Sequence, residues 1–237
     1  MNKRIILTAV LVLAVASAAY CLWAYTLVGS CKEKIWLHRC NSLERLEEKG
    51  RHYKGIEVDI CLRDGKMDVT HDLDTTFSLE ATPYFEYLGK HKQTRIWLDV
   101  KNLTAENEPW LCERLLWLCK EYGIDHGRII VESPNWRELE PLTLEGFITS
   151  CYVLGKPDED SIPRLQMVAK SGKVRALSFH HDWYGKLKGR VDSGIWLLSW
   201  ANHTSEYHLW LSFWGRRMAR DRQLKVILIK DIGEHYR

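Results

Sequence analysis

Short apolar runs with the character of β-strands alternate with stretches of helical periodicity along most of this chain. The clearest helical stretch, residues 105–122, keeps an apolar stripe at helical spacing until Gly123 ends it. Parallel strands need long crossover connections, which are usually helices, so this alternation predicts an α/β fold, a parallel (β/α)8 barrel of the TIM-barrel type. The eight predicted strands are residues 34–39, 55–61, 95–102, 128–133, 148–154, 174–180, 194–202 and 225–230, with residues 66–72 as a candidate extra strand.

The chain divides into two parts, an apolar N-terminal segment over residues 1–31 and a barrel domain over residues 32–237. Hydrophobic residues make up 46% of the chain and charged residues 27%, which excludes a disordered chain and a multi-span membrane protein. Two of the three net positive charges come from Lys3 and Arg4, so the barrel domain is nearly neutral. A nucleic-acid-binding protein would carry a stronger basic excess. We therefore expect no nucleic-acid partner, and no feature of the sequence predicts a protein partner.

The N-terminal segment has the length of a transmembrane or signal-anchor helix. Residues 5–29 carry no charge, and a helix of that length rises roughly 37 Å, enough to cross a hydrocarbon core. The basic residues Lys3 and Arg4 precede it, which predicts a cytoplasmic N-terminus and a barrel on the extracytoplasmic side, periplasmic or extracellular.

Three interpretations of this segment remain open. An uncleaved anchor is favoured, because the apolar core of a signal peptide normally runs only about 7–15 residues. A cleaved signal is the second. The third is a lipoprotein, because residues 28–31 (Val-Gly-Ser-Cys) resemble a bacterial lipoprotein cleavage box in which Cys31 would carry the lipid. All three place the barrel beside a membrane.

The seven cysteines do not have the pattern of a disulfide framework. Cys40 and Cys61 follow the first two predicted strands and are candidate neighbours. A bridge between them is one interpretation, and two buried free thiols are the favoured one.

Polar residues in the second predicted strand are expected to point into the barrel. Side chains alternate between the two faces of a strand, and Ile56, Val58 and Ile60 suit the face that helices cover. Glu57 and Asp59 then point inward, near the C-terminal end of the strand.

The third predicted strand follows the same rule. Ile96, Leu98 and Val100 suit the outer face, so Asp99 and Lys101 point inward. On the fourth strand, the same alternation directs the Glu132 carboxyl group inward as well.

Three carboxylates, Glu57, Asp59 and Asp99, would therefore meet at the end of the barrel where active sites of this fold are built. Burying these like charges costs on the order of several kcal/mol per ion. A divalent cation bound to the carboxylate oxygens would offset that cost. The alternative is a buried ion network with nearby basic side chains: Lys101, Arg39 and Arg95.

Two histidines accompany these acids. His38 ends the first predicted strand, and His71 follows the turn that contains Asp64 and Gly65. A pair of imidazoles beside a carboxylate cluster suits proton transfer, because one accepts a proton while the other returns one.

Together these residues resemble the glycerophosphodiester phosphodiesterase family, within the superfamily of phosphodiesterase TIM barrels that includes phospholipase D toxins. The motifs that carry the resemblance are His38-Arg39-Cys40, Glu57-Val58-Asp59, Asp64-Gly65 followed by His71-Asp72, Asp99-Val100-Lys101, a shortened Trp200-Ala201-Asn202, and Asp231 after the last strand. The sequence departs from the family in three places. Cys40 replaces a glycine, Asp99 replaces the usual Glu, and the Glu-Asn-Thr motif is missing or compressed into Asn41-Ser42. Asp99 and the early Asn41 are more similar to the toxin branch.

The resemblance implies metal-dependent cleavage of a phosphodiester bond, in a glycerophosphodiester or a phospholipid headgroup. One Mg²⁺ or Ca²⁺ ion would be held by Glu57, Asp59 and Asp99, and His38 and His71 would be the catalytic acid and base. The residues expected to bind substrate are Arg39, Lys101, Trp200, Asn202 and Glu132. Two alternatives stay open: a toxin-like lyase that forms a cyclic phosphate, and a non-catalytic, membrane-tethered barrel that binds a phosphorylated ligand.

Overall fold

The computed structural model describes residues 3–29, 31–201, 209 and 212–230, and in residues 24–29 the backbone alone. Over these ranges its strands are β1 Ile35–Leu37, β2 Gly55–Arg63, β3 Lys66–Val69, β4 Arg95–Val100, β5 Ile129–Ser133, β6 Ile148–Val153, β7 Ala176–His180, β8 Trp196–Trp200 and β9 Leu224–Ile229. The α-helices are α1 Lys3–Gly29, α2 Leu43–Lys49, α3 Thr82–Lys90, α4 Glu108–Tyr122, α5 Glu140–Leu144, α6 Ser161–Lys170, α7 Tyr184–Leu187 and α8 Phe213–Arg220. Short 3₁₀ helices cover Lys32–Lys34, Gly50–His52, His126–Arg128, Trp136–Leu139 and His181–Trp183.

The strands form the parallel barrel that the sequence predicts. Eight of them pair in the order β1-β9-β8-β7-β6-β5-β4-β2, and pairing of β1 with β2, Leu37 opposite Ile56, closes the ring. The candidate extra strand is also present, because β3 runs antiparallel to β2. Asp64 and Gly65 form the turn between them with φ of 49° and 66°, the left-handed pair that a tight hairpin needs.

Alternation along the strands separates two hydrophobic layers. The outward side chains of β2 and β4 belong to the large core under the helices, as the sequence predicts. A smaller cluster fills the barrel interior: Trp36, Trp97, Ile130, Ile148, Ala176, Leu198, Val226 and Leu228. Gly55 makes room for it, because a Cβ there would lie 2.3 Å from Cδ2 of Trp36. These apolar groups leave the C-terminal ends of the strands for polar side chains.

Helix α1 is long and apolar enough over Lys3–Trp23 to cross a membrane, and its described side chains do not pack into the barrel. Near its C-terminal end it meets α8. The guanidinium of Arg216 lies over the rings of Tyr20 and Trp23, at 5.2 and 5.3 Å from their centroids, and that of Arg220 lies 5.1 Å from Trp23. The helix therefore reaches the barrel beside α8.

Cys31, Cys40 and Cys61 are all buried. Cys40 and Cys61 are free thiols, so the favoured interpretation of that pair agrees with the structure. The Cys31 thiol donates to the backbone oxygen of Ala219 at 3.3 Å.

Candidate active site

Three carboxyl groups meet inside the barrel at the C-terminal ends of β2 and β4. Asp59 lies in register with Asp99 on the neighbouring strand, and Glu57 precedes Asp59 by one full pleat. One carboxylate oxygen from each of the three lies within 4.8 Å of the other two. We call Glu57, Asp59 and Asp99 the acid cluster. Its position agrees with the alternation argument.

Glu57 is held by the chain that leaves β1. The backbone N–H of Arg39 donates to Oε2 of Glu57 at 2.6 Å, and Nε2 of His38 lies 3.8 Å from the same oxygen. Arg39 has a φ of 53°, in the left-handed region that residues other than glycine seldom adopt. The turn after β1 thus brings a backbone donor and an imidazole to one carboxylate.

Asp59 is held by Asn41, which the sequence analysis did not include among the site residues. Nδ2 of Asn41 donates to Oδ2 of Asp59 at 2.7 Å, and the backbone N–H of Asp59 donates to Oδ1 of Asn41 at 3.0 Å. A two-sided amide contact of this kind fixes the orientation of the carboxylate. The sequence feature that could have predicted this role is the position of Asn41, directly after the His38-Arg39-Cys40 motif.

Lys101 joins two members of the acid cluster. Its Nζ lies 2.5 Å from Oδ1 of Asp59 and 2.5 Å from Oδ2 of Asp99. The buried ion network that the sequence analysis left open is therefore present for Lys101, and it coexists with the gathering of the acids. Arg39 is more distant, with its Nε 4.0 Å from Asp59.

Burial and the charges of neighbouring groups shift the pKa values of the three acids in the cluster. Burial, followed by the charges of Asp59 and Asp99, raises the pKa of Glu57 well above its ordinary value. Burial also raises the pKa of Asp99. Asp59 differs, because Lys101 and Asn41 hold its pKa below the ordinary value although burial acts in the opposite direction.

His38 and His71 lie in different environments. His38 is buried, and loss of hydration lowers its pKa to about 3, so its imidazole is neutral near pH 7. His71 is partly exposed, and its Nδ1 lies 2.7 Å from Oδ1 of Asp72. Nη2 of Arg39 lies 2.9 Å from Nε2 of His71. Because a guanidinium only donates, Nε2 accepts here and Nδ1 carries the proton toward Asp72.

A cavity of about 130 Å³, which we call the site cavity, connects these groups. Every predicted site residue that the structure describes contributes to its wall: His38, Arg39, Glu57, Asp59, His71, Asp99, Lys101, Glu132 and Trp200. Asn202 and Asp231 lie outside the described residues.

The remaining walls of the site cavity come from β5, β6, β8 and β9. Glu132 is buried opposite Asp99, and its Oε2 has no hydrogen-bond partner among the residues described. Trp200 stacks on Tyr152, which the sequence analysis missed, with ring centroids 5.6 Å apart. The ring of His180 meets Trp200 edge-on at 5.0 Å. Aromatic walls thus face the acid cluster across the cavity.

No family model and no curated protein matches this sequence. Solved structures do match. A glycerophosphodiester phosphodiesterase from Parabacteroides distasonis has a TM-score of 0.59 at 18% identity, covering 84% of this chain and 92% of its own. The fold is that of the glycerophosphodiester phosphodiesterases. A phosphodiesterase from Oleispira antarctica, solved with its product sn-glycerol-3-phosphate, has a TM-score of 0.56 at 15% identity, covering 87% and 94%.

A second group of similar structures consists of structures of a phospholipase C. The calcium-dependent, phosphoinositol-specific enzyme from a Pseudomonas species has a TM-score of 0.51 at 10% identity, covering 82% of this chain and 87% of its own. The barrel architecture that the sequence resemblance implies is therefore confirmed.

Proposed function

We propose that this chain cleaves phosphodiester bonds with the help of one divalent cation. The observation that carries the proposal is the meeting of the acid cluster with two imidazoles, His38 and His71, in one cavity at the C-terminal ends of the strands. Active sites of parallel barrels are built at that end. The solved structures with this fold are named as phosphodiesterases and a phospholipase C, which supports the same chemistry.

The donor set suits a hard cation such as Mg²⁺ or Ca²⁺. The site cavity holds four carboxyl groups, the acid cluster and Glu132, against the basic side chains of Lys101 and Arg39. Burial and mutual repulsion raise the pKa of Glu57 and so oppose its ionisation, and Oε2 of Glu132 has no partner among the described residues; a bound cation would relieve both. Glu57, Asp59 and Asp99 would hold it through oxygen atoms alone. When bound, the cation supplies charge stabilisation to a phosphoryl oxygen.

Asn41 gives a direct test of this cation site. Asn41→Ala removes both contacts to Asp59, and we expect the affinity for Mg²⁺ or Ca²⁺ to fall about 10- to 100-fold. Titration calorimetry on the full chain in lipid nanodiscs measures it. Asn135→Ala is the matched control, because it removes an amide that donates to the backbone oxygen of Leu103 instead. Equal affinity in the two variants would contradict the role of Asn41 in positioning Asp59 for the cation.

The two histidines take different roles in the proposed reaction. His38 lines the site cavity and accepts the proton of the attacking hydroxyl group as the hydroxyl oxygen bonds to phosphorus. The bond from phosphorus to the leaving alcohol breaks, and His71 supplies the proton that this alcohol needs. Asp72, with Oδ1 at 2.7 Å from Nδ1 of His71, orients this imidazole so that Nε2 faces the leaving alcohol once Arg39 binds the phosphate. Arg39 and Lys101 donate to the phosphate.

The attacking hydroxyl group decides between two products. Attack by water is hydrolysis and gives a phosphomonoester. Attack by a hydroxyl group of the substrate itself gives a cyclic phosphate, and the enzyme is then a lyase. The preferred substrates are glycerophosphodiesters and phospholipid headgroups, in line with the sn-glycerol-3-phosphate bound by the Oleispira antarctica enzyme.

The location of the barrel belongs to the same proposal. Residues 1–31 act as the membrane segment, and residues 32–237 form one phosphodiesterase domain on the extracytoplasmic side. The apolar character of α1 and the basic residues before it, Lys3 and Arg4, support this arrangement.

Turnover of glycerophosphocholine by the full chain in nanodiscs tests the function. We expect cleavage with Mg²⁺ or Ca²⁺ present and a loss of at least roughly 100-fold with a chelator, because the cation supplies several kcal/mol to the transition state. Phosphorus NMR separates a phosphomonoester from a cyclic phosphate. If no phosphodiester is cleaved when the cation is present, the chain is a binding protein.

A further inference from the structure

A groove of about 670 Å³ lies at the opposite end of the barrel from the site cavity, where β8 and β9 begin and α8 ends. The proposed reaction does not use it. Five of the six charged side chains that line it are basic, so we call it the basic groove. One of the five is Lys188, and the other four, which we call the basic quartet, are Arg217, Arg220, Arg222 and Lys225.

The acidic side chain in the basic groove is already neutralised. Oδ1 of Asp221 lies 2.5 Å from Nζ of Lys188, and its Oδ2 accepts a hydrogen bond from the hydroxyl group of Tyr184 at 2.9 Å. None of the described carboxylates forms an ion pair with the basic quartet. The groove therefore presents four positive charges that an external anion can neutralise.

Aromatic rings hold two of the arginines in place. The guanidinium of Arg217 lies 5.3 Å from the ring centroid of Trp214. That of Arg220 lies 5.1 Å from the ring centroid of Trp23. A guanidinium that lies over a ring keeps its N–H groups available, and their planar arrangement suits the oxygens of a phosphate group.

The basic quartet is not needed to cap α8. Basic residues are often found at a helix C-terminus because the last carbonyl groups carry partial negative charge. Here Nζ of Lys34 donates to the backbone oxygens of Ala219 and Asp221, at 2.9 and 2.5 Å, and the Cys31 thiol also donates to Ala219. Since these carbonyl groups already have donors, the exposed arginines of the groove can serve another purpose.

The contact with α1 places the basic groove near the lipid headgroups. Tyr20 and Trp23 lie at the C-terminal end of the apolar span Lys3–Trp23. Aromatic residues at the end of such a span mark the level of the headgroups. Arg220 packs on Trp23 and also lines the groove, so the groove lies where lipid phosphates are the abundant anions.

We propose that the basic groove binds the headgroup of an anionic phospholipid and so fixes the orientation of the barrel on the membrane. This inference goes beyond the proposed function and involves none of its residues. The volume of the groove is within the roughly 300–1,000 Å³ of most small-molecule sites. A zwitterionic headgroup suits it less, because its ammonium group would meet the four positive charges of the basic quartet.

Lipid binding to the full chain in detergent micelles tests the proposal. The probes are phosphatidylglycerol and phosphatidylcholine with the same acyl chains, and native mass spectrometry counts the bound lipid. We expect one phosphatidylglycerol per chain to bind at least about tenfold more tightly than phosphatidylcholine. Equal affinities would overturn the proposal. If inorganic phosphate binds as tightly as phosphatidylglycerol, the groove takes a free anion and not a lipid.

Two variants remove one charge each from the basic groove. Arg220→Gln and Arg222→Gln should each weaken the binding of phosphatidylglycerol about fivefold and leave that of phosphatidylcholine unchanged. Arg51→Gln is the matched control, because Arg51 is exposed and does not line the groove. It should keep the wild-type affinity. If both groove variants keep it as well, the headgroup does not bind there.

Photo-crosslinking locates the headgroup without any substitution. A phosphatidylglycerol that carries a diazirine on its headgroup should label peptides from residues 188–196 and 217–225 of the full chain in nanodiscs. Excess unlabelled phosphatidylglycerol should remove this label, and excess phosphatidylcholine should not. Labelling confined to α1 would overturn the headgroup site. Neither result depends on cleavage of a phosphodiester, so this proposal and the proposed function can fail separately.

Discussion

Replacement of either His38 or His71 by alanine is expected to lower kcat for phosphodiester cleavage by about 10²- to 10⁴-fold, the usual contribution of a positioned acid or base. Neither imidazole belongs to the acid cluster, so cation binding should persist in both variants. Kinetics and titration calorimetry on the same preparations measure the two effects. His52→Ala is the matched control, because His52 is exposed and does not line the site cavity.

The leaving group distinguishes the two histidines. A 4-nitrophenyl phosphodiester releases a phenolate that needs no proton, so the general acid is dispensable for it. His71→Ala should therefore lose much less activity on this substrate than on glycerophosphocholine, whereas His38→Ala should lose activity on both. The opposite pattern would exchange the two roles. Activity within tenfold of wild type in both variants, on both substrates, would remove acid–base catalysis by these residues.

The barrel and the inward-facing acids could be predicted because both depend on short-range patterns. The apolar residues of β2 alternate with Glu57 and Asp59 at a period of two, which assigns each side chain to a face without knowledge of its neighbours. The helix end at Gly123, with a φ of 61°, is equally local. Alternation alone was thus enough to place the acids in the lumen.

The contacts within the site depend on information that no short stretch of sequence contains. Lys101 contacts Asp59 as well as Asp99 because the register of β2 against β4 brings the two acids side by side. Asn41 reaches Asp59 because Arg39 adopts a left-handed conformation that its residue type does not predict. Both contacts decide how the acids are oriented, so the sequence predicted which residues gather and not how each is held.

A cavity of about 690 Å³ beside Trp200 is the clearest feature that the sequence did not predict. Its walls come from α8 and the C-terminal ends of three consecutive strands, β7, β8 and β9, and α8 by itself has the pattern of an ordinary helix on the outside of a barrel. The space follows from how that helix packs over the strand ends, so it is a property of tertiary packing.

Lys101→Met is expected to lower the free energy of unfolding by about 3–5 kcal/mol in the presence of a chelator, the usual cost of removing one partner from a buried ion pair. Lys101 is within 2.5 Å of both Asp59 and Asp99, and its loss leaves the buried carboxyl groups of the site cavity with Arg39 as their basic neighbour. Denaturant unfolding of the full chain in detergent micelles measures the change.

Added Mg²⁺ or Ca²⁺ should restore much of that loss, because a ligand that binds the folded state stabilises it and the acids no longer share their oxygens with an ammonium group. The gain in stability on adding the cation should therefore be larger for Lys101→Met than for the wild type. Lys173→Met is the control, since Lys173 pairs with Glu140 at the surface, where such a pair contributes about 0–1 kcal/mol. If the cation stabilises neither the wild type nor Lys101→Met, Asp59 and Asp99 serve as counter-ions to Lys101 and hold no metal.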